Sequence, residues 1–228
     1  MSIAQNLQAI EAELRPNPCQ LIAVSKTKPV EAVSEAYEAG HRDFGENKVQ
    51  ELVGKEEVLP KDIRWHMIGH LQRNKVKYIA PFVHLIHGID TKKLLIEVNK
   101  QGQKNDRVIQ CLLQIHIAQE STKFGFDQQE VQAFLDSETF AGLTNVKVCG
   151  LMGMATLTDD QDQIKQEFRS LKALYDQIDA HYDAPNIEMK TLSMGMSGDY
   201  KLALEEGSTM IRVGTAIFGA RNYPTQNQ

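Results

Sequence analysis

The feature that most constrains this chain is an alternation. Short apolar runs of strand length are separated by longer stretches with helical hydrophobic spacing. Eight runs can be read: Leu21–Val24, His41–Phe44, Trp65–Ile68, Val83–Ile89, Val108–Ile117, Val146–Leu151, Glu188–Leu192 and Met210–Val213. Between them lie helical segments. Val30–Ala39 opens after Pro29, a favoured first-turn residue, and stops at Gly40. Thr91–Lys100 starts beside Asp90, an N-cap type. Asp127 and Glu130 have capping-box spacing for a helix ending near Phe140. Gln161–His181 carries the apolar stripe Ile164, Phe168, Leu171, Leu174, Tyr175 and Ile178. Strands alternating with helices build a parallel sheet, because each parallel neighbour needs a crossover. An open doubly wound sheet and a closed (β/α)8 barrel both satisfy the pattern. The count of eight, and the lack of a GxGxxG turn after the first run, favour the barrel. The second run is weakly apolar and is the least secure member of the count.

A barrel of this kind is typically about 250 residues with a floor of roughly 200. The 228 residues here therefore suit one lean domain over 1–228. It would comprise an N-terminal helix near 2–15, a barrel over about 20–220 and a short C-terminal tail. The first segment places Ile3, Leu7, Ile10 and Leu14 on one helical face, and its Glu11 and Glu13 do not suit a signal or transit peptide. No apolar run reaches the roughly 18 residues needed to span a bilayer. The 25 Lys+Arg against 30 Asp+Glu leave a net charge of −5, which gives no electrostatic case for nucleic acid or anionic membrane as main partner. Cys19, Cys111 and Cys149 are widely spaced without a CxxC pair, so buried reduced thiols and a cytoplasmic location are expected. His66 and His70 lack the glutamate and the helix of an HExxH zinc site, and Arg73–Lys77 reads as a solvated helix face.

In either architecture ligand chemistry belongs at the C-terminal ends of the strands. Lys26 ends the run Leu-Ile-Ala-Val-Ser. Partial desolvation there, with Lys28 nearby, favours the neutral amine, which can attack a carbonyl. At the far end of the chain, Ser193-Met-Gly-Met-Ser197 and Arg212-Val-Gly-Thr215 follow or contain the last two runs. Gly195 and Gly214 permit close backbone approach, Ser193, Ser197 and Thr215 offer hydroxyls, and Arg212 offers a permanent charge. Barrels often hold phosphate with these loops. A lysine facing a phosphate cup suits a phosphorylated aldehyde. Pyridoxal 5′-phosphate (PLP) fits, and so does a phosphosugar aldolase. Asn47 could bond the ligand, with Glu46 behind it positioning lysines or backbone. Met152, Met154, Met194 and Met196 read first as core and rim packing, with Met154 or Met194 as the alternative contact to a ring.

These segments resemble one family. Ala23-Val-Ser-Lys-Thr-Lys-Pro29, Phe44-Gly-Glu-Asn47 with Val49-Gln-Glu51, Trp65-His-Met-Ile-Gly69, Gly150-Leu-Met152, Ser193-Met-Gly-Met-Ser197 with Asp199, and Arg212-Val-Gly-Thr-Ala-Ile-Phe-Gly219 are similar to the pyridoxal phosphate homeostasis proteins of the YggS/PROSC type. The resemblance runs from about Leu21 to Tyr223. It implies a fold-type III PLP barrel like the N-terminal domain of alanine racemase. It also implies that Lys26 holds PLP as an aldimine, that Ser193, Gly195, Arg212, Gly214 and Thr215 form the phosphate cup, and that Asn47 contacts the cofactor. Lys48 stands where relatives commonly have tyrosine, which leaves that position without an assigned role.

The resemblance implies a regulator of PLP and amino-acid balance rather than an enzyme. Racemisation needs a proton acceptor on each face of a carbanion. The tail after the last run is too short for the second domain that supplies one in two-domain racemases, so a monomeric carrier without sustained catalysis is expected. PLP-dependent apo-enzymes or regulatory proteins would be its partners. The alternative is a small PLP-dependent racemase or lyase using another base, such as His66 or Tyr200.

Overall fold

The computed structural model describes residues 2–15, 19–119 and 124–220. Eight parallel strands close in sequence order: β1 Gln20–Val24, β2 Asp43–Glu46, β3 Arg64–Met67, β4 Leu85–Ile89, β5 Ile109–Gln114, β6 Val146–Met152, β7 Ile187–Met196 and β8 Met210–Val213. Closure is made by β1, which pairs with β2 (Ala23 opposite Phe44) and with β8 (Leu21 opposite Ile211). The fold is the (β/α)8 barrel that the alternation predicts. The eighth strand has the expected bounds, whereas the second lies two residues further on than His41–Phe44. The cause is local. Gly40, at φ +99°, and His41 donate their backbone N–H groups back to Tyr37 and Ala36, so the chain is still finishing a helix there.

The helices are α1 Ile3–Leu14, α2 Val30–Glu38, α3 Val49–Val58, α4 Val76–Ile79 after a 3-10 turn at Arg73–Lys75, α5 Lys92–Lys104, α6 Gln128–Leu135, α7 Glu138–Ala141, α8 Gln161–His181, α9 Tyr200–Glu205 and α10 Thr215–Phe218. Asp127 forms the expected capping box with Glu130. The helix expected to continue to Phe140 is broken, because Ser137 starts a new one by accepting from the Phe140 N–H. No helix among the described residues is long and apolar enough to cross a membrane.

Strands and helices enclose a large apolar layer that includes Phe44, Leu52, Phe134 and Phe168. The barrel interior is different. One small cluster is apolar, made of Ile22, Leu85, Leu112, Cys149, Met152 and Met210. Beside it runs a buried polar row, Asp43, His66, His87, Ser193 and Arg212. The register explains part of this: Gly45 is paired with His66, and Ile22 with Arg212, so these neighbours share the inward face.

Candidate ligand site at the strand ends

The C-terminal ends of the strands surround a cavity of about 410 Å³. Lys26, Lys28 and Asn47 line one side, and Ser197, Gly198, Arg212, Gly214 and Thr215 line the other. Val24, Ile68, Met154, Leu157 and Met196 give it apolar walls. Among the described residues that line it are three cationic ones and no carboxylate, although the chain as a whole is acidic. The site therefore carries a local field that suits an anion. A second hollow, of about 450 Å³ around Arg15, His41, Asp43 and Arg64, opens at the opposite end of the barrel. That end is the one usually tied to stability rather than chemistry.

The Lys26 loop is held from below. Thr27 has φ +64°, a left-handed conformation that costs a β-branched residue roughly 1–2 kcal/mol. Its backbone N–H donates to Glu51 Oε1. Lys55, on α3, reaches back under the loop. Its Nζ donates to the Ser25 carbonyl at 2.8 Å, to Glu46 Oε1 at 2.7 Å and to Glu51 Oε1 at 3.0 Å. Ser25 Oγ adds a 2.6 Å bond to Glu46 Oε1. Glu46 is fully buried, and its Oε2 has no hydrogen-bond partner. Burial pushes the Glu46 carboxyl up, against the pull of Lys55 and Ser25. The backbone-positioning role expected for Glu46 matches this geometry. The lysine it holds is Lys55, which the sequence reading did not single out. The one available signal was the Glu51–Lys55 spacing on an amphipathic helix.

Lys28 does not simply add charge beside Lys26. Its ammonium donates to the carbonyls of Phe218 at 2.9 Å, Gly219 at 3.1 Å and Ala220 at 2.9 Å, clipping the end of α10 to the loop. On the opposite wall, the Gly214 N–H donates to Ser197 Oγ at 3.2 Å. A Cβ at Gly214 would lie 3.0 Å from the Val24 carbonyl oxygen and 3.3 Å from the Val24 Cβ, so a larger residue would have to push the end of β8 a few tenths of an ångström away from β1.

Two expected cup residues, Ser193 and Gly195, do not line the cavity. Ser193 is fully buried inside the barrel and does not line the cavity. Its Oγ accepts from Arg212 at 2.6 Å and lies 3.1 Å from His87 Nδ1. Gly195, at φ +93°, packs against α9, where an added Cβ would come within 2.6 Å of Ala203. Ser197, the other hydroxyl of that motif, takes the wall position instead. Arg212 does line the cavity, but it is rooted in the barrel. It donates to the carbonyls of Ser193 at 2.8 Å and Gly153 at 3.0 Å. Burial lowers its pKa to about 10, so it stays charged at neutral pH.

Met154 and Met196 line the cavity, whereas Met194 is buried away from it. Lys48 is exposed at the start of α3. His70 bonds Asp90 at 2.9 Å and stacks on Phe124. His66 is fully buried against Asp43 and His87, so the two histidines face different partners. Among the described residues no group of three His, Cys, Asp or Glu could hold a metal ion. The Tyr200 hydroxyl is bonded to Glu13, on α1.

This barrel and its strand-end lysine define a class before any comparison of sequences. A family model described as alanine racemase, N-terminal domain, matches residues 1–222. The alanine racemase of Bartonella henselae has the same barrel, with a TM-score of 0.71 at 16% identity over 98% of this chain and 60% of that one. The chain belongs to the pyridoxal phosphate homeostasis protein family. It is 41% identical to the member from Vibrio alginolyticus, over 97% of this chain and 99% of that one. It is also similar to PipY of Synechococcus elongatus, solved with PLP bound, with 35% identity and a TM-score of 0.86 over 96% of this chain and 100% of that one.

Proposed function

We propose that this chain binds PLP at the strand-end cavity through Lys26 and serves in PLP homeostasis as a carrier without sustained turnover. The observation that carries the reading is the cavity itself: Lys26, Lys28 and Arg212 gather around it at the C-terminal ends of the strands. The donor set fits the cofactor. Ser197, Gly214 and Thr215 would hold the phosphate. Asn47 would meet a polar edge of the ring, Arg212 would supply the permanent charge opposite the cofactor's anionic groups, and Ile68, Met154 and Met196 would give the ring apolar walls. Bound PLP supplies an aldehyde that a primary amine can condense with, and a π-system that can take up an electron pair. The chain's part is to present the Lys26 amine from a fixed loop. Lys55, Glu46 and Glu51 set that loop from beneath.

The non-catalytic part of the proposal rests on what lines the cavity. Among the described residues that line it, none is a histidine, tyrosine or carboxylate that could serve as a second proton acceptor, which supports the carrier reading. His66 is enclosed in the barrel and Tyr200 is engaged by Glu13, which takes support from the racemase alternative. Such a carrier would hand PLP to PLP-dependent apo-enzymes. A cytoplasmic location is part of the proposal, supported by the free thiols of Cys19, Cys111 and Cys149.

The test is direct. Protein incubated with PLP should turn yellow, and borohydride reduction followed by peptide mapping should place the adduct on Lys26. An adduct on Lys28, or none, would overturn the assignment. Incubation of the loaded protein with L-alanine in deuterium oxide should leave the α-hydrogen in place. Steady exchange would overturn the carrier reading.

A further inference from the structure

The polar row inside the barrel forms a continuous chain. Arg212 donates to Ser193 Oγ at 2.6 Å. Ser193 Oγ lies 3.1 Å from His87 Nδ1, and His87 Nε2 lies 3.0 Å from His66 Nδ1. His66 Nε2 lies 3.2 Å from Asp43 Oδ1. Arg64 closes the far end, with its Nε 2.7 Å from the same Asp43 oxygen. His66, His87 and Ser193 are fully buried, and Asp43 and Arg212 are nearly so. This chain is anchored on β2, β3, β4, β7 and β8, so it crosses the barrel interior from its N-terminal rim to the cavity.

Proton counting gives it one direction. An ionised Asp43 only accepts, so His66 must carry its proton on Nε2. A neutral His66 then offers Nδ1 as an acceptor, and His87 must donate from its own Nε2. His87 Nδ1 accepts the Ser193 hydroxyl proton, and Ser193 Oγ accepts from Arg212. Burial holds both imidazoles below their ordinary value, so the neutral forms are the ones present. On Asp43, burial works to raise the carboxyl, but Arg64 and His66 outweigh it and keep the carboxylate. Every donor therefore points from the cation at Arg212 towards the anion at Asp43. Aligned bonds of this kind polarise one another. The relay does not conduct protons to the cavity, because its upper end is a guanidinium that keeps its protons.

We propose that Asp43, His66, His87 and Ser193 are positioning residues for the ligand cavity, a one-way hydrogen-bond relay that fixes the Arg212 guanidinium in place and orientation. The proposal rests on the reading that the cavity takes PLP. It gives the buried histidines a task that packing alone does not need, since apolar residues fill most barrel interiors.

Two measurements test it on the full chain. Nitrogen-15 NMR of the ligand-free protein should find His66 and His87 neutral and protonated on Nε2 from pH 6 to 8. A charged ring, or a proton on Nδ1, would overturn the relay whatever the ligand is. Equilibrium binding and absorbance with PLP form the second measurement. His87→Leu should weaken PLP by about tenfold or more and shift its absorption maximum, as expected for a disturbed bond to a charged group. His87→Gln, which restores one donor and one acceptor, should recover most of the affinity and the maximum. If His87→Leu does not fold, Ser193→Ala removes the same link with a smaller change and is read in the same way. A wild-type protein that takes up no PLP would refute the cavity reading. A wild-type protein that binds PLP, with His87→Leu or Ser193→Ala matching it in affinity and spectrum, would refute the relay.

Discussion

Replacing Lys55 with methionine removes the ammonium that ties Ser25, Glu46 and Glu51 together beneath the Lys26 loop. The Lys55–Glu46 pair is 2.7 Å apart, and both side chains are almost completely buried. At an effective dielectric constant of about 20, that separation corresponds to roughly 6 kcal/mol of gross attraction. Desolvation of both groups offsets much of it in the wild type. Removing one partner leaves the other's cost uncompensated, and the loss for such a change is about 3–5 kcal/mol. Against a total stability of about 5–15 kcal/mol, Lys55→Met should fold but be fragile.

The penalty should depend on pH. Burial already raises Glu46 above its ordinary value of 4.5, and Lys55 supplies two of the pulls in the other direction. Without Lys55 the folded value rises further. A raised carboxyl contributes its stability when protonated, so the penalty is smallest below the unfolded value. It grows by about 1.36 kcal/mol per pH unit as pH rises from the wild-type folded value to the variant's, then levels off. Urea unfolding followed by circular dichroism at pH 5 and pH 8 measures both quantities. A loss under about 1 kcal/mol at pH 8, or an equal loss at both pH values, would refute the account of this cluster. The same variant leaves the Ser25 carbonyl with the Lys28 N–H as its remaining donor and loosens the support of the strained turn at Thr27, so PLP retention should fall in parallel.

Two other changes probe the walls of the cavity and the thiols. A Cβ at Gly69 would lie 2.5 Å from the Asn47 carbonyl oxygen, so Gly69→Ala should cost about 1–3 kcal/mol and displace Asn47; an unaltered melting temperature and PLP affinity would contradict this packing. Burial pushes the Cys19 thiol up to about 11 and raises that of Cys111 well above its ordinary value, so neither should react quickly with a disulfide reagent at pH 8 in the folded state. Rapid modification of Cys111 in native protein would contradict its burial.

The barrel was legible because it is written in periodicity. Gln161–His181 has the same bounds in the sequence pattern and in the structure, and so does Met210–Val213. Both segments bury one apolar stripe or run, and burial of that face is what the pattern encodes. Lys26 was legible for a topological reason, since a residue just past an early strand must stand at the C-terminal mouth of the barrel. The second strand was misplaced by two residues because the helix C-cap at Gly40 and His41 is a backbone event with little trace in hydropathy.

The finer site needed the fold. Ser193 and Ser197 are both serines of one motif, and nothing in the sequence says which faces the cavity. The irregular pairing of β7 with β8 between Ser193 and Met196 decides it. Asp43, His66, His87 and Arg212 come from four separate strands, so no spacing rule could join them. Lys55 reaches the Lys26 loop from a neighbouring helix for the same reason. What the sequence settled by itself was which segments are strands and helices, and hence which residues stand at the strand ends, because those follow from local burial along the chain. What only the tertiary structure decided was which side chains meet, because barrel closure sets neighbours by strand register and not by distance along the sequence.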